Sequence, residues 1–166
     1  MTALEKEFYF KQFRPDTFPL PLAFPIFSNN GKRIELPCIL DSGADFTTIP
    51  MSIGRDVLGI DFNKIGPYEI RKKWENLDRQ NEKQLNELIQ EIIEKKHVIP
   101  TSYECACGRS TNGFYYPATI EIEEFKKEIL VLWTPSDVIS ILGRIGIFDN
   151  IKELTFKKGK SYTIKF

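Results

Sequence analysis

The chain has 166 residues, of which 42% are hydrophobic, 13% aromatic and 28% charged. This composition is typical of one globular domain and excludes a disordered chain. Lys+Arg and Asp+Glu both number 23, so a formal net charge of zero gives no general attraction to nucleic acid or anionic lipid. No segment approaches the roughly 18 uninterrupted apolar residues of a membrane span, and the charged N-terminus lacks the apolar core of a secretion signal. We therefore expect a cytoplasmic protein without nucleic-acid or membrane partners.

The first forty residues carry strand patterns. Residues 7–13 mix aromatic and polar side chains, as a strand near a sheet edge does. Asn30-Gly31 lies between the apolar runs 24–27 and 34–40. Since both residues tolerate positive φ, this pair predicts a tight hairpin. The second arm of the hairpin is expected to run directly into the Asp-Ser-Gly sequence that follows it.

The segment from about Pro67 to Pro100 differs from the first forty residues in composition. It is rich in Glu, Lys, Gln and Asn, and its apolar residues between Leu85 and Ile93 recur at i, i+3, i+4, i+7 and i+8, which predicts one apolar helical face. The segment is either one long helix or a helical pair. Its apolar face either packs on its own domain, forms a lid over a cleft, or adds a dimer contact.

Strand patterns return after the helical segment. A hairpin with its tip at 108–113 is expected, and a further buried strand, an apolar run ending at glycine and a terminal hairpin follow. These strands are predicted at 103–107, 114–123, 128–133, 139–143, 154–156 and 162–166. The whole chain, 1–166, is therefore expected to be a single, mainly β domain with an α-helical insertion at about 67–100.

The three cysteines are Cys38, Cys105 and Cys107. An odd count in a chain without a secretion signal argues against a disulfide framework. Cys105 and Cys107 offer two thiolates, but a structural zinc site needs four soft ligands, and neither Cys38 nor His97 stands at a familiar spacing. We expect free thiols, no metal and no cofactor.

The short polar sequence that follows the second arm of the predicted hairpin contains the residues that could act chemically. Asp41 ends an apolar strand, Ser42 can hydrogen-bond neighbouring backbone, and Gly43 allows close approach of another chain. Taken alone, Asp41 is more consistent with a residue that caps a turn than with a catalytic acid.

Two motifs together favour the catalytic interpretation. The order Ile-Leu-Asp-Ser-Gly-Ala at 39–44 resembles the active-site loop of aspartic peptidases of the retropepsin type. About a hundred residues later, Ile-Leu-Gly-Arg at 141–144 matches the apolar-apolar-Gly-Arg motif of that family. In the family the Arg pairs with an Asp four residues after the catalytic one, and Asp45 and Arg144 stand at those positions.

The resemblance implies an acid protease lobe, a closed-barrel or sandwich-like β fold, in which Asp41 is catalytic. The loop-supporting residues are then Ser42, Gly43, Ala44, Asp45, Gly143 and Arg144. Since the chain contains one Asp-Ser-Gly sequence, a pair of carboxylates requires a second copy. The resemblance therefore implies a homodimer that cleaves a peptide or protein substrate, with Ser42 hydrogen-bonding across the dimer axis and the terminal strand 161–166 at the interface.

The family also has a glycine-bearing hairpin, the flap, that closes over bound peptide. The tip of this flap is expected at 107–113. Its substrate-binding residues would then be Cys107, Gly108, Arg109, Ser110 and Gly113. The insertion at 67–100 has no counterpart in the minimal fold.

Two other functions remain open from the sequence. The same fold can serve as a non-catalytic dimerisation or peptide-binding module, which the unusual flap and the insertion motivate. Alternatively, the helical segment binds a partner protein. The sequence identifies neither the substrate nor its subsite preferences.

Overall fold

The computed structural model describes residues 5–11, 20–104, 110–135, 139–157 and 161–166. The strands are β1 (Glu5–Lys11), β2 (Leu20–Ala23), β3 (Ile26–Asn29), β4 (Lys32–Glu35), β5 (Cys38–Leu40), β6 (Thr47–Pro50), β7 (Ile99–Glu104), β8 (Ser110–Ile122), β9 (Phe125–Thr134), β10 (Ser140–Leu142), β11 (Glu153–Lys157) and β12 (Ser161–Lys165). The helices are α1 (Tyr68–Glu75) and α2 (Glu82–Lys95), with shorter helical turns at Ile53–Val57 and Phe148–Asn150. The predicted mainly β fold with a helical insertion is confirmed.

These strands form one sheet, curled into a half-barrel. Its order is β11-β12-β1-β2-β5-β10-β6-β9-β8-β3-β4, and β7 pairs with β8 beside this path. Most neighbours are antiparallel, but β10 is parallel to β5 and β6 is parallel to β9. Strands from distant parts of the sequence thus meet in the middle of the sheet.

The hairpin at Asn30-Gly31 forms as predicted. Asn30 has φ 47° and Gly31 has φ 80°, the positive values that a two-residue turn between β3 and β4 requires. The second arm, however, is not one strand to Leu40. It divides at Leu36-Pro37, because proline has no N–H to donate to a ladder, and β5 pairs with β2 and β10 instead of β3.

The insertion is a helical pair. Asn81 caps α2 by accepting a hydrogen bond from the Gln84 N–H at 3.2 Å, and α2 ends at Lys96, which has φ 53°. Pro100 does not close the helical segment as expected but lies within β7. Within the described residues, neither helix is long and apolar enough to cross a lipid bilayer.

Two hydrophobic cores lie on opposite faces of β8 and β9. Along β9 the odd residues Ile129, Val131 and Trp133 belong to the core inside the half-barrel, and the even residues Leu130 and Leu132 belong to the core beneath the helices. The strand is buried on both faces, which explains its uninterrupted apolar sequence. The apolar side chains of α2 fill this second core, so the helix packs on its own domain. These side chains are Leu85, Leu88, Ile89, Ile92 and Ile93.

Tyr115 makes the second core sensitive to alkaline pH. Burial raises the pKa of its hydroxyl from 10.0 to about 12. Between these values the unfolded chain releases the proton while the folded chain retains it, so the free energy of unfolding falls as pH rises from 10 towards 12. We expect Tyr115→Phe to make this fall in the free energy of unfolding shallower, as measured by urea unfolding at several pH values. A smaller fall should remain, because burial also raises the pKa values of Tyr116 and Tyr162. Tyr68→Phe, at a 61% exposed position, should leave the slope unchanged; an unchanged slope in Tyr115→Phe would contradict the prediction.

The described strands from the two ends of the chain lie together at one end of the sheet. β12 pairs with β1 along one edge and with β11 along the other, each over five residue pairs. Both backbone edges of β12 are therefore used inside one chain. The expectation that strand 161–166 lies at a dimer interface stays a prediction, but this strand has no edge left for pairing with a second copy.

Candidate active site

Asp41 lies at the end of β5 in a tight loop. Its backbone N–H donates to the Leu142 carbonyl at 3.1 Å, and the Ala44 N–H donates back to the Asp41 carbonyl at 3.2 Å. Its carboxylate oxygen Oδ1 accepts a hydrogen bond from the Gly43 N–H at 2.9 Å. Ser42 and Gly43 are exposed. The loop thus holds one carboxylate in a fixed orientation at the surface of the lobe.

The loop owes its shape to β10, which runs between β5 and β6. β10 aligns Leu142 with Leu40 in parallel and Ile141 with Thr48 in antiparallel. Gly143 follows at the crossing point, where its N–H donates to Thr47 Oγ1 at 3.3 Å. A Cβ at this position would lie 2.7 Å from the Thr47 backbone nitrogen and closer still to the Phe46 carbonyl. Only glycine lets the two backbones approach this closely.

Arg144 contacts the Asp41 loop through both its backbone and its side chain. Its backbone N–H donates to the Ala44 carbonyl at 2.7 Å, and the Ile145 N–H donates to the Asp45 carbonyl at 2.8 Å. Its guanidinium Nη2 lies 3.2 Å from Asp45 Oδ1. The structure therefore brings Asp45 and Arg144 together, as the resemblance implies. Because both side chains are about half exposed, the ion pair adds little stability, and its effect is to hold the loop in position.

The flap prediction needs correction. Ser110 and Gly113 do not lie at a hairpin tip but within β8, opposite Glu104 and Thr101 of β7. Gly113 is required for packing, since a Cβ there would lie 2.8 Å from the Trp133 carbonyl oxygen. The other predicted flap residues, Cys107, Gly108 and Arg109, lie outside the described residues.

The insertion reaches the site through residues that the sequence did not indicate. Phe46, next to Asp45, packs against Tyr115 and Trp74 with ring centroids 4.8 and 6.0 Å apart. The guanidinium of Arg79, in the connection between α1 and α2, lies 5.8 Å from the Trp74 ring centroid. Its charge lowers the pKa of the Tyr115 hydroxyl, and the Asp45 charge raises it, although burial has the largest effect. The aromatic residue after Asp45 was a signal for such packing, but nothing local marked Arg79.

Two open clefts meet at Arg79. One, of about 680 Å³, lies between the insertion and the β7–β8 arms and includes Trp74, Ser102 and Asn112 in its lining. The other, of about 450 Å³, lies between the insertion and Arg144. The cationic side chain of Arg79 thus lines both clefts, one of which also includes Arg144 in its lining. Within the described part of the chain, no group of three or more His, Cys, Asp or Glu side chains is placed to hold a metal ion.

Two solved proteases have a similar fold. EIAV protease, in complex with an inhibitor, is 15% identical; the match covers 84% of this chain and 93% of that one, with a TM-score of 0.47. A retropepsin-like aspartic protease from Rickettsia conorii is 14% identical over 99% of this chain and 93% of that one, with a TM-score of 0.48. At these identities the likeness concerns the fold alone. No protein-family model matches the sequence, and no curated protein sequence matches it.

Proposed function

We propose that this protein is an aspartic endopeptidase that acts as a homodimer. The observation that carries the proposal is the geometry of the Asp41 loop. The Gly43 N–H orients the Asp41 carboxylate, and the loop is hydrogen-bonded to the segment Gly143-Arg144. A residue that only capped a turn would not require contacts with β10, a strand that is distant in sequence. The arrangement presents one oriented acid.

The chemistry requires two carboxylates and one water. Two Asp41 side chains facing each other share a single proton, because two like charges so close cannot both ionise. The ionised carboxylate takes a proton from the water as its oxygen bonds to the scissile carbonyl carbon, and the protonated carboxyl gives its proton to the carbonyl oxygen. The C–N bond then breaks as the nitrogen takes a proton from one carboxyl of the dyad, and one hydroxyl of the tetrahedral intermediate returns its proton to the other carboxylate. The products are an amine and a carboxylic acid, and the dyad again holds one proton. No cofactor is needed.

The second Asp41 comes from a second copy. The chain has one Asp-Ser-Gly sequence, and the exposed Ser42 and Gly43 leave the tip of this loop accessible. A two-fold axis near the tip would bring the two loops together through identical surfaces, with the Ser42 hydroxyls hydrogen-bonding across the axis.

The substrate is proposed to be an extended peptide segment. Tyr115 of β8 packs against Phe46, which follows the Asp41 loop, and strands with exposed backbone edges bind extended peptides by main-chain hydrogen bonds. The insertion supplies a wall that a minimal lobe lacks, so its residues would contact substrate side chains next to the scissile bond.

The test is cleavage of an unstructured protein between acidic and neutral pH, with the products identified by mass spectrometry. We expect internal cuts that a statine-containing transition-state analogue blocks. Binding of the analogue or the peptide without any cut would instead support the non-catalytic peptide-binding module. Cleavage that the analogue does not affect would contradict the two-carboxylate mechanism.

Arg79 is expected to select substrates. Because it stands between both clefts and Asp45, Arg79→Ala should raise KM for a peptide carrying a carboxylate side chain near the scissile bond by about tenfold, roughly the value of one charged hydrogen bond. The KM of the matched amide peptide should change little. Lys83→Ala, which removes an exposed cation on α2, is the control. An unchanged KM for the carboxylate peptide in Arg79→Ala, or the same proportional rise for both peptides, would contradict the assignment.

A further inference from the structure

An aromatic cluster joins the insertion to the segment that follows the Asp41 loop. It consists of Phe46, Trp74 of α1 and Tyr115 of β8, all three of which are buried. The ring centroids of Phe46 and Tyr115 are 4.8 Å apart, those of Trp74 and Tyr115 4.7 Å, and those of Phe46 and Trp74 6.0 Å. These are the distances of packed aromatic rings. One helix of the insertion thus contacts the residue directly after Asp45.

Phe46 is held from two sides. Its ring packs against Trp74 and Tyr115, while its backbone lies against Gly143, where an added Cβ would be 2.3 Å from the Phe46 carbonyl carbon. A close-packed residue of this kind cannot shift without overlapping one neighbour or leaving a void beside the other. The position of Trp74 therefore sets the position of the Phe46 backbone.

A second apolar side chain anchors the other segment that shapes the loop. Ile145 follows Arg144 and packs against the same core, to which both helices of the insertion contribute. Its backbone N–H donates to the Asp45 carbonyl at 2.8 Å. The ion pair of Asp45 and Arg144 is thus followed, in each segment, by a side chain that packs in the core beneath the insertion.

We propose that the insertion positions the Asp41 carboxylate, and that Trp74 is a positioning residue that acts through Phe46. This inference rests on the proposed peptidase function for its kinetic consequence. It assigns a part in catalysis to a segment that a minimal lobe lacks. A displacement of about 1 Å in a reacting group can lower a rate by about 10²-fold, so support of this kind affects kcat even though Trp74 acts at a distance.

The chain offers matched variants of Trp74. Its indole Nε1 is buried and has no hydrogen-bond acceptor among the described residues. Trp74→Phe therefore removes no hydrogen bond and keeps a ring beside Phe46, whereas Trp74→Ala leaves a void there. Leu88→Ala leaves a void in the same core but keeps the aromatic cluster, and it controls for the loss of stability.

The kinetic test uses the amide peptide, because Arg79 stacks on the Trp74 ring and the carboxylate peptide would also report its displacement. In Trp74→Ala we expect kcat to fall at least about tenfold while KM stays within about twofold, as a misplaced reacting group predicts. In Trp74→Phe and Leu88→Ala, kcat should stay within about threefold of the wild-type value. An unchanged kcat in Trp74→Ala, or an equal fall in Leu88→Ala, would overturn the proposal.

Amide hydrogen exchange measures the position of the loop without any cleavage. The Asp41 N–H donates to the Leu142 carbonyl, and the Arg144 N–H donates to the Ala44 carbonyl. In Trp74→Ala, exchange at these two amides, followed by NMR, should be at least about tenfold faster than in Leu88→Ala, because local opening exposes them selectively. The amides of β12, which pairs along both edges, should exchange at similar rates in the two variants.

Phe46→Leu provides the same test if Trp74→Ala does not fold. It removes the ring that contacts Trp74 and Tyr115 but keeps an apolar side chain in the core. We expect the same selective increase in exchange at Asp41 and Arg144. Equal increases at these amides and in β12 would show that the cluster serves only the stability of the whole domain, which would overturn the proposal.

The outcomes separate this proposal from the peptidase function. Selective exchange at the loop in Trp74→Ala, in a protein whose wild type cuts no peptide, supports the positioning role while the peptidase function fails. A wild type that cuts peptides, with no selective exchange in Trp74→Ala, overturns the positioning role and leaves the peptidase function standing. Selective exchange with an undiminished kcat also overturns it, because the loop would then move without affecting Asp41.

Discussion

Asp41→Asn is expected to abolish peptide cleavage, with a loss of about a thousandfold or more in kcat. The amide cannot take a proton from the attacking water, and general acid–base catalysis typically contributes about 10²–10⁴-fold. Asparagine keeps the shape of the side chain, and its Oδ1 can still accept the hydrogen bond from the Gly43 N–H. We therefore expect the free energy of unfolding to change by less than about 1 kcal/mol. The measurements are the rate of cleavage of a fluorogenic peptide and urea unfolding.

Asp56→Asn is the matched control for this substitution. Asp56 is an exposed carboxylate, paired with its neighbour Arg55 and remote in sequence from the Asp41 loop. Its variant should cleave at the unaltered rate. Undiminished cleavage by Asp41→Asn would contradict the assigned chemistry, whatever the control shows.

Gly143→Ala is expected to have the largest effect on stability. The added methyl group would overlap the backbone of Phe46 and Thr47, and backbone atoms held by neighbouring strands cannot move aside as a flexible side chain does. We expect the free energy of unfolding to fall by about 3 kcal/mol or more. Cleavage should be lost with it, because the same contact shapes the Asp41 loop. Urea unfolding followed by far-UV circular dichroism measures the effect.

Gly31→Ala separates this steric overlap from the general cost of replacing glycine. Gly31 has φ 80°, and nothing lies within 4 Å of the position of its Cβ, so only backbone strain of about 1–2 kcal/mol is expected. If Gly143→Ala proved no more destabilising than Gly31→Ala, the close crossing of β10 and the loop would be contradicted.

Features set by local chemistry could be predicted from the sequence. The turn at Asn30-Gly31 depends on two residues that tolerate positive φ, and the apolar face of α2 depends on spacing within one helix. The Asp45–Arg144 contact joins distant residues, but two motifs of fixed internal spacing marked both partners. In the turn and the helix, the deciding interaction lies within a few residues of the pattern that signals it; in the ion pair, each partner was marked by its own motif.

Features set by strand partners could not be predicted. The run 34–40 is apolar throughout, and nothing in it shows that its two halves pair with different strands. The sequence predicts Gly113 at a hairpin tip, because glycine is common in turns. In the structure its lack of a side chain allows β8 to approach the Trp133 carbonyl. Arg79 stands in an ordinary polar connection, and only the packing of the insertion brings it near Asp45. These outcomes depend on contacts between distant segments.

The terminal strands show the same limit. The sequence pattern correctly predicted a hairpin of β11 and β12 but not the pairing of β1 with the remaining edge of β12. Because of that pairing, β11 and not the last strand lies at the end of the sheet. This outcome depends on contacts between the two ends of the chain and on no local pattern.

The central claim is that one active site uses an Asp41 from each of two copies. The most direct measurement is the cleavage rate of mixtures of wild-type and Asp41→Asn chains, allowed to exchange at constant total concentration. If both carboxylates are required, the rate falls as the square of the wild-type fraction, because only dimers of two wild-type chains are active. A rate that falls in simple proportion to the wild-type fraction would contradict the claim.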